Sequence, residues 1–334
     1  MVIMNNLLAA APVLTNIVGK LILWLNSFIG NFGWTVVIFT LILKTALMPL
    51  DIWQKKVTVK NNNAMKKMKP QLDKLQKQYG ANREMYGAKQ MELYKKEGYS
   101  LFGSCLPMVF TLVIFIVIFQ GFYASVRYQN ETITYELAEL SNAGATDEEL
   151  ADAYGEKLES WLWIKNIYMP DTIWSDVIPN FTVYSGSKLG QLKAQFPDNF
   201  NQVGDYDALV KPAMDRYNPS SFWDYKNWNG LLLLPLLAII MNFLTTVLMK
   251  NSQPVQPTQL GPNGQPMNNA ATMKIMQYMM PLMIGIFSLF YSSAFTLYLF
   301  VSAVFTGAFN LIFNIINTRS EKKQLALAES TNRR

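Results

Sequence analysis

The sequence predicts an all-α polytopic membrane protein: five transmembrane helices around a hydrophilic groove, a cytosolic helical hairpin and an N-terminal interfacial helix. Three observations carry this. Of 334 residues, 51% are hydrophobic and only 16% charged, against roughly 25% charged in soluble domains. The apolar residues are concentrated in blocks, so mean hydropathy over the whole chain is only +0.11. Five of the blocks approach the roughly 20 residues a helix needs to cross a hydrocarbon core. The same composition removes whole classes of chemistry. The chain has no His, so imidazole bases, His-based triads and His-ligated metals drop out. One cysteine, Cys105, allows neither an internal disulfide nor a Cys-cluster metal site. No cofactor or metal is expected.

In chain order, residues 1–32 hold an amphipathic helix. Leu14, Ile17, Val18, Leu21, Leu25 and Phe28 recur at helical spacing, with Asn16, Lys20 and Ser27 on the other face, the pattern of a helix lying in the membrane interface. An uncleaved signal sequence or a sixth span ranks lower, because no basic stretch precedes the block. Residues 33–54 hold the first span, 33–50, with Trp34 and Trp53 at its edges as interfacial aromatics. Residues 55–102 form the cytosolic hairpin. Met65, Met68, Leu72, Leu75 and Tyr79 alternate by three and four, a seam for pairing with another helix. Pro70 is expected to kink that helix, Gly80 to end it and Asn82 to cap the next.

The second span lies in 103–127. Residues 128–228 are an extracellular insertion too long to be a plain connection, and Thr146 with Glu149 signals a capped helix near 147–160. The third span lies in 229–249. Residues 250–273 are a flexible cytosolic linker, since 251–270 hold four Pro and no charge. The fourth and fifth spans fill 274–316, separated only by Ser292 and Ser293, and 317–334 are a basic cytosolic tail. No internal repeat is present.

Loop charges orient these spans. Residues 55–98 carry 12 Lys/Arg and 4 acids, while 127–228 carry 8 Lys/Arg against 16 Asp/Glu, a net of −8. Positive loops stay cytoplasmic. Five spans in the plasma membrane, N-terminus outside and C-terminus in the cytoplasm, place every basic segment inside without adjustment.

Lys44 is the most informative residue. It lies eleven residues into the first span, roughly 16 Å deep at 1.5 Å per residue. A lysine stem reaches about 6 Å, which makes snorkelling difficult. Insertion scales put the cost of such a charge at about 2.5–3.5 kcal/mol. No predicted span contains Asp or Glu, and Asp51 is about two turns away. Water in a groove open to one side is then the expected partner. Thr40, Thr45, Gln120 and Asn242, with Thr245, Ser302, Thr306 and Asn310, are the candidate lining, and ordinary interhelical hydrogen bonding is the alternative for each. A hydrated positive groove attracts an acidic or polar segment partway into the membrane, and a greasy face beside it receives an apolar one. Phe110, Phe115 and Phe119, with Phe287 and Phe290, are candidates for that face; lipid-facing or packing aromatics are the alternative. Met65, Met68, Met85 and Met91 suit a surface that accepts varied apolar partners, or else form the hairpin's own core.

These residues resemble YidC-type membrane protein insertases. The resemblance is carried by GWTVVIFTLILKTALMPL followed by Gln54, by LYKKEG at 93–98 and GSCLPM at 103–108, then by LWI at 162–164, IMQYMMP at 275–281 and LY at 297–298. It implies a chaperone-like insertase that places other proteins in the bilayer, alone or beside the Sec translocon, with no enzymatic step. By resemblance, Lys44 stands where the family carries a groove charge, usually Arg, and draws in the translocated part of a client. The hairpin meets nascent membrane proteins first, and the basic tail touches the ribosome or anionic lipid. Departures are Thr111 and Val113 after the GSCLPM motif, Ser292, Ser293 and Ala294 before the last span, and the enlarged insertion. With no large domain ahead of the first span, the layout is Gram-positive-like. Two other readings stay open: a small-solute transporter or channel with Lys44 as an anion site, and, with little weight, an intramembrane enzyme using Cys105 and Lys44.

Overall fold

The structure, a computed structural model, describes residues 13–80, 82–99, 101–184, 203–248 and 269–332. The expected linker, most of it within 249–268, lies outside the described residues, as does the end of the tail. Ten helices make up the described chain: α1 (Ile17–Ile29), α2 (Phe32–Tyr79), α3 (Arg83–Lys96), α4 (Leu101–Asn142), α5 (Asp147–Glu156), α6 (Phe181–Tyr184), α7 (Val203–Tyr217), α8 (Leu233–Leu248), α9 (Asn269–Phe290) and α10 (Ser293–Asn332). The described fold is all-α, with one isolated bridge between Trp161 and Ile164. Three segments are long and apolar enough to cross a membrane: Phe32–Tyr79, Val109–Asn142 and Ser293–Ile316. Leu233–Leu248 and Pro281–Phe290 are apolar and shorter.

Several helix ends follow from local chemistry. α1 starts where the Asn16 side chain accepts from Gly19 N–H and stops at Gly30, whose φ of 72° lets the chain leave in the left-handed region. α2 continues through Pro49 and Pro70 to Tyr79, so first span and first hairpin helix are one element. α3 begins where the Asn82 side chain accepts from Met85 N–H. α5 carries a full capping box: Thr146 accepts from Glu149 N–H, and the Glu149 carboxylate accepts from Thr146 N–H.

The chain divides into two compact units. The first comprises Met1–Leu43, Ile116–Asn242 and Leu282–Phe305. In it, α1 meets α4 where a Cβ at Gly121 would overlap Val18. Phe39 meets Phe122 edge-on at 5.8 Å, and Phe122 packs against Phe295 and Tyr298 of α10. The C-terminal end of α4 joins the core of the segment that follows it, where Ile133, Leu137 and Ala138 are buried with Leu150, Tyr154, Tyr206 and Val210 of α5 and α7. The exposed apolar residues of α1, Ile17, Leu21, Trp24 and Phe28, form its outward stripe.

One irregular stretch of the insertion, 159–171, organises the first unit. Near its start the Glu159 carboxylate accepts from Phe32 N–H at 3.2 Å and the Ser160 carbonyl accepts from the Asn31 amide at 3.0 Å, at the N-terminus of α2. The Ile167 and Met169 carbonyls accept from Ala294 and Ser293 N–H at 3.0 and 2.9 Å, at the N-terminus of α10. Asp171 takes the N-terminus of α8. Three apolar helices therefore begin against one strap, which satisfies amide groups that a helix start leaves orphaned.

The second unit comprises Lys44–Phe115, Phe243–Pro281 and Thr306–Arg334. Its hairpin core joins α2 and α3 through buried Met65, Met68, Leu72, Leu93, Tyr94 and Tyr99. α8 meets α9 through stacked Phe243 and Tyr278. It meets α10 where Gly307 stands against Thr245 and where the Asn314 amide donates to the Leu248 carbonyl at 3.4 Å.

Candidate functional site

α2 carries Lys44, Asp51 and Lys55 at i, i+7 and i+11, which is one face of a helix. All three are half-buried. Asp51 is the carboxylate whose field Lys44 feels, and Lys55 feels the same one. Among the described residues Lys44 makes no hydrogen bond or ion pair. A half-buried ammonium in an apolar helix with no direct partner needs water or a ligand's negative charge.

Lys55 is held differently. Its Nζ is buried without a hydrogen-bond partner among the described residues and lies 4.6 Å from the ring centroids of both Phe309 and Phe313 on α10. Desolvated cation–π contacts of this kind are worth about 2 kcal/mol. Between those two rings in sequence, Asn310 is 1% exposed, and among the described residues neither its amide nitrogen nor its oxygen has a partner. A buried amide whose hydrogen-bonding capacity is unused is costly unless water or a ligand satisfies it.

The remaining expected groove residues divide between the units. In the first unit Thr40 is buried and donates to the Val36 carbonyl at 2.6 Å. Asn242 is half-buried and donates to the Ala238 carbonyl at 2.8 Å. Ser302 pairs with Tyr298, and Gln120 is exposed. In the second unit Thr245 is buried against Gly307, Thr306 is half-buried and Thr45 exposed. Thr40 and Asn242 thus bond back to their own helices, the ordinary use of such side chains.

Of the expected apolar slide, Phe110, Phe287 and Phe290 are exposed, and Phe110 meets Trp53 edge-on. Phe115 is half-buried. Phe119 is not an open surface: it packs edge-on against Tyr291 and Phe295, both at 5.1 Å. Met85 and Met91 are exposed, at 47% and 45%, whereas Met65 and Met68 are 3% and 0% exposed. Burial in the hairpin seam removes Met65 and Met68 from any accepting surface, because their side chains are already spent on Leu93 and Tyr94.

Sequence reasoning missed Lys55 and the strap at 159–171. Lys55 was findable, since it shares the face of Lys44 eleven residues on. The strap was not, because its partners lie far away in sequence.

Comparison with known proteins identifies the family. A family model described as 60Kd inner membrane protein matches residues 24–321. The chain is 28% identical over 161 residues to a membrane protein insertase YidC of Janthinobacterium sp. (strain Marseille), covering 47% of this chain and 23% of that protein. It is 36% identical over 107 residues to the YidC of Bordetella avium (strain 197N), covering 32% and 18%. It is 30% identical over 158 residues to the YidC of Leptospira interrogans, covering 46% and 20%. The matched stretches span about a fifth of these relatives' length. With the family model matching nearly nine-tenths of its length, this chain belongs to the 60Kd inner membrane protein family.

Proposed function

We propose that this protein is a membrane protein insertase that moves apolar segments of nascent proteins into the bilayer through a hydrated, positively charged groove. The carrying observation is Lys44: a half-buried charge in an apolar helix, without an ion pair among the described residues. The Asn310 amide in the same unit, buried without a partner among the described residues, supports a wet interior. Family membership and the names of the relatives support the activity.

In this reading five helices span the membrane, with N-terminus outside and C-terminus inside, and the acidic insertion faces the exterior. The relatively short α8 and Pro281–Phe290 complete the five. A client's acidic or polar tail enters the groove toward Lys44, where Coulomb attraction offsets part of its desolvation. Its apolar segment meets Phe110, Phe287 and Phe290 and passes sideways into lipid. Met85 and Met91 on the hairpin are the first apolar contacts, and the basic tail meets ribosomal RNA or lipid phosphates. The Sec translocon is a companion only for clients that need it. The driving force is burial of client apolar area, about 25 cal/mol per Å², with about 2.3 kcal/mol per charge per 100 mV from membrane potential. No bond is made or broken.

The test is insertion of a single-span protein into liposomes holding the purified chain. Lys44→Arg retains insertion. Lys44→Glu loses it, at least about tenfold, for clients with acidic translocated tails, since juxtaposed like charges cost several kcal/mol. Equal activity of all three proteins removes Lys44 from the mechanism, and solute flux without insertion favours a transporter.

A further inference from the structure

A second basic feature lies in the second unit, independent of Lys44. A cavity of about 520 Å³ is lined by Lys56, Lys60 and Lys67 of α2, by Glu97 and Gly98 just past α3, and by Phe313 of α10. That volume is within the range of small-molecule sites. The three lysines stand at i, i+4 and i+11, so they form one stripe on α2. None of them forms an ion pair among the described residues. One carboxylate, Glu97, faces three ammonium groups, so the cavity is cationic when empty.

Its position along the helices identifies what neutralises it. Lys56 is three residues beyond Trp53 and Lys60 seven, which at 1.5 Å per residue is roughly 4.5 and 10 Å. Trp53 is exposed at the end of the apolar run, where interfacial aromatics sit at headgroup level. Lysine stems of about 6 Å bring both ammonium groups to the phosphate layer. Phe313, whose ring also meets Lys55 Nζ, lines the same cavity and belongs to the apolar segment that ends at Ile316, so it offers apolar surface to the glycerol backbone and first methylenes. The cavity lining thus joins an apolar ring to three ammonium groups at the end of the apolar segments.

We propose that this cavity binds the headgroup of an anionic glycerophospholipid. Lys56 and Lys60 hold the phosphodiester, Lys67 draws it in from the cytosolic mouth, and Phe313 packs on the glycerol. Glu97 accepts from a headgroup hydroxyl and repels a second phosphate, which disfavours a polyanion such as an RNA backbone. Nothing in this assignment depends on insertion activity.

The test uses the full chain reconstituted in vesicles of equal phosphatidylglycerol and phosphatidylcholine, with retained lipid counted by native mass spectrometry after detergent extraction. The wild type retains phosphatidylglycerol in preference to phosphatidylcholine. The double variant Lys56→Gln/Lys60→Gln loses about thirtyfold in apparent affinity, from the contribution of each juxtamembrane lysine. Lys60→Arg keeps the lipid and shows that charge, not a particular side chain, is required. Lys95→Gln/Lys96→Gln, at exposed positions on α3, retains as much as the wild type. Equal retention by Lys56→Gln/Lys60→Gln overturns the proposal. Displacement of lipid by millimolar glycerol 3-phosphate also overturns it, by assigning the cavity to a soluble phosphate ester. Loss of lipid to an added acidic peptide overturns it in favour of a polypeptide ligand.

Discussion

The Asp171 carboxylate accepts a hydrogen bond from Leu234 N–H at 2.7 Å, closing the N-terminus of α8 with a side chain 63 residues away. Its other oxygen accepts from Leu231 and Leu232 N–H at 2.7 and 3.1 Å, and the Trp163 indole donates to Oδ2 at 3.0 Å. Asp171 is fully buried, and its bond to Leu234 N–H is buried with it. The charge sits at the positive end of the helix, where the macrodipole favours an anion.

Asp171→Ala removes the acceptor of all four donors, of which the Leu234 N–H bond is fully buried. The expected cost is about 3 kcal/mol, read as a lower midpoint in thermal unfolding of the purified protein. Asp171→Asn keeps part of the acceptance and falls between. Gly230→Ala is damaging for the same reason, since its Cβ would overlap the Asp171 carboxylate. An unchanged midpoint for Asp171→Ala contradicts the capping role.

Gly33→Ala forces a methyl group into the ring of Trp161, where α2 starts against the strap. Overpacking of this kind costs about 1–3 kcal/mol. The corresponding change at Gly87, where nothing stands within 4 Å, is expected to be neutral or mildly stabilising, because helical Gly is replaced by Ala. Comparing protease resistance of the two variants checks the contact.

Met68→Ala empties part of the hairpin seam and costs about 2–5 kcal/mol of local stability. Met85→Ala and Met91→Ala, exposed on α3, stay within about 0.5 kcal/mol. Hydrogen exchange across 55–98 separates them: faster exchange on both α2 and α3 follows only from the change at Met68.

Burial raises the Glu159 carboxyl above its ordinary value, with Phe32 N–H pulling partly the other way. A carboxyl raised in the folded state holds its proton longer there than in the unfolded chain. The fold therefore loses stability as pH rises from the ordinary Glu range through the raised value. Glu159→Gln removes this dependence, so its advantage over the wild type grows from pH 4 to neutral. A difference that is flat over that interval contradicts the burial effect.

Local chemistry was legible in the sequence. Asn82 and the Thr146–Glu149 pair announce helix starts through side chains acting three residues away, and both starts are where those residues place them. The apolar blocks likewise carry their own signal of length and composition. The continuity of α2 through Pro49 and Pro70 was less legible, because a helix can absorb a proline when packing supports it. Long-range polar contacts left no pattern at all. Asp171 read as one of 16 acids in a loop, yet its role comes from amide groups some 60 residues on. For the candidate site, Lys44 stood out because charge inside an apolar run is costly. Whether a threonine bonds its own helix, as Thr40 does, depends on a rotamer that no spacing encodes.

The central claim, that a hydrated positive charge at position 44 draws clients in, is tested most directly by restoring that charge chemically. In a Cys105→Ser background, Lys44→Cys is reacted from the aqueous phase with a cationic or an anionic methanethiosulfonate, and insertion of an acidic-tailed single-span protein is measured. The account predicts that both reagents reach the thiol, that the trimethylammonium adduct recovers insertion, and that the sulfonate adduct does not. A thiol inaccessible to both reagents, or equal insertion by the two adducts, contradicts it.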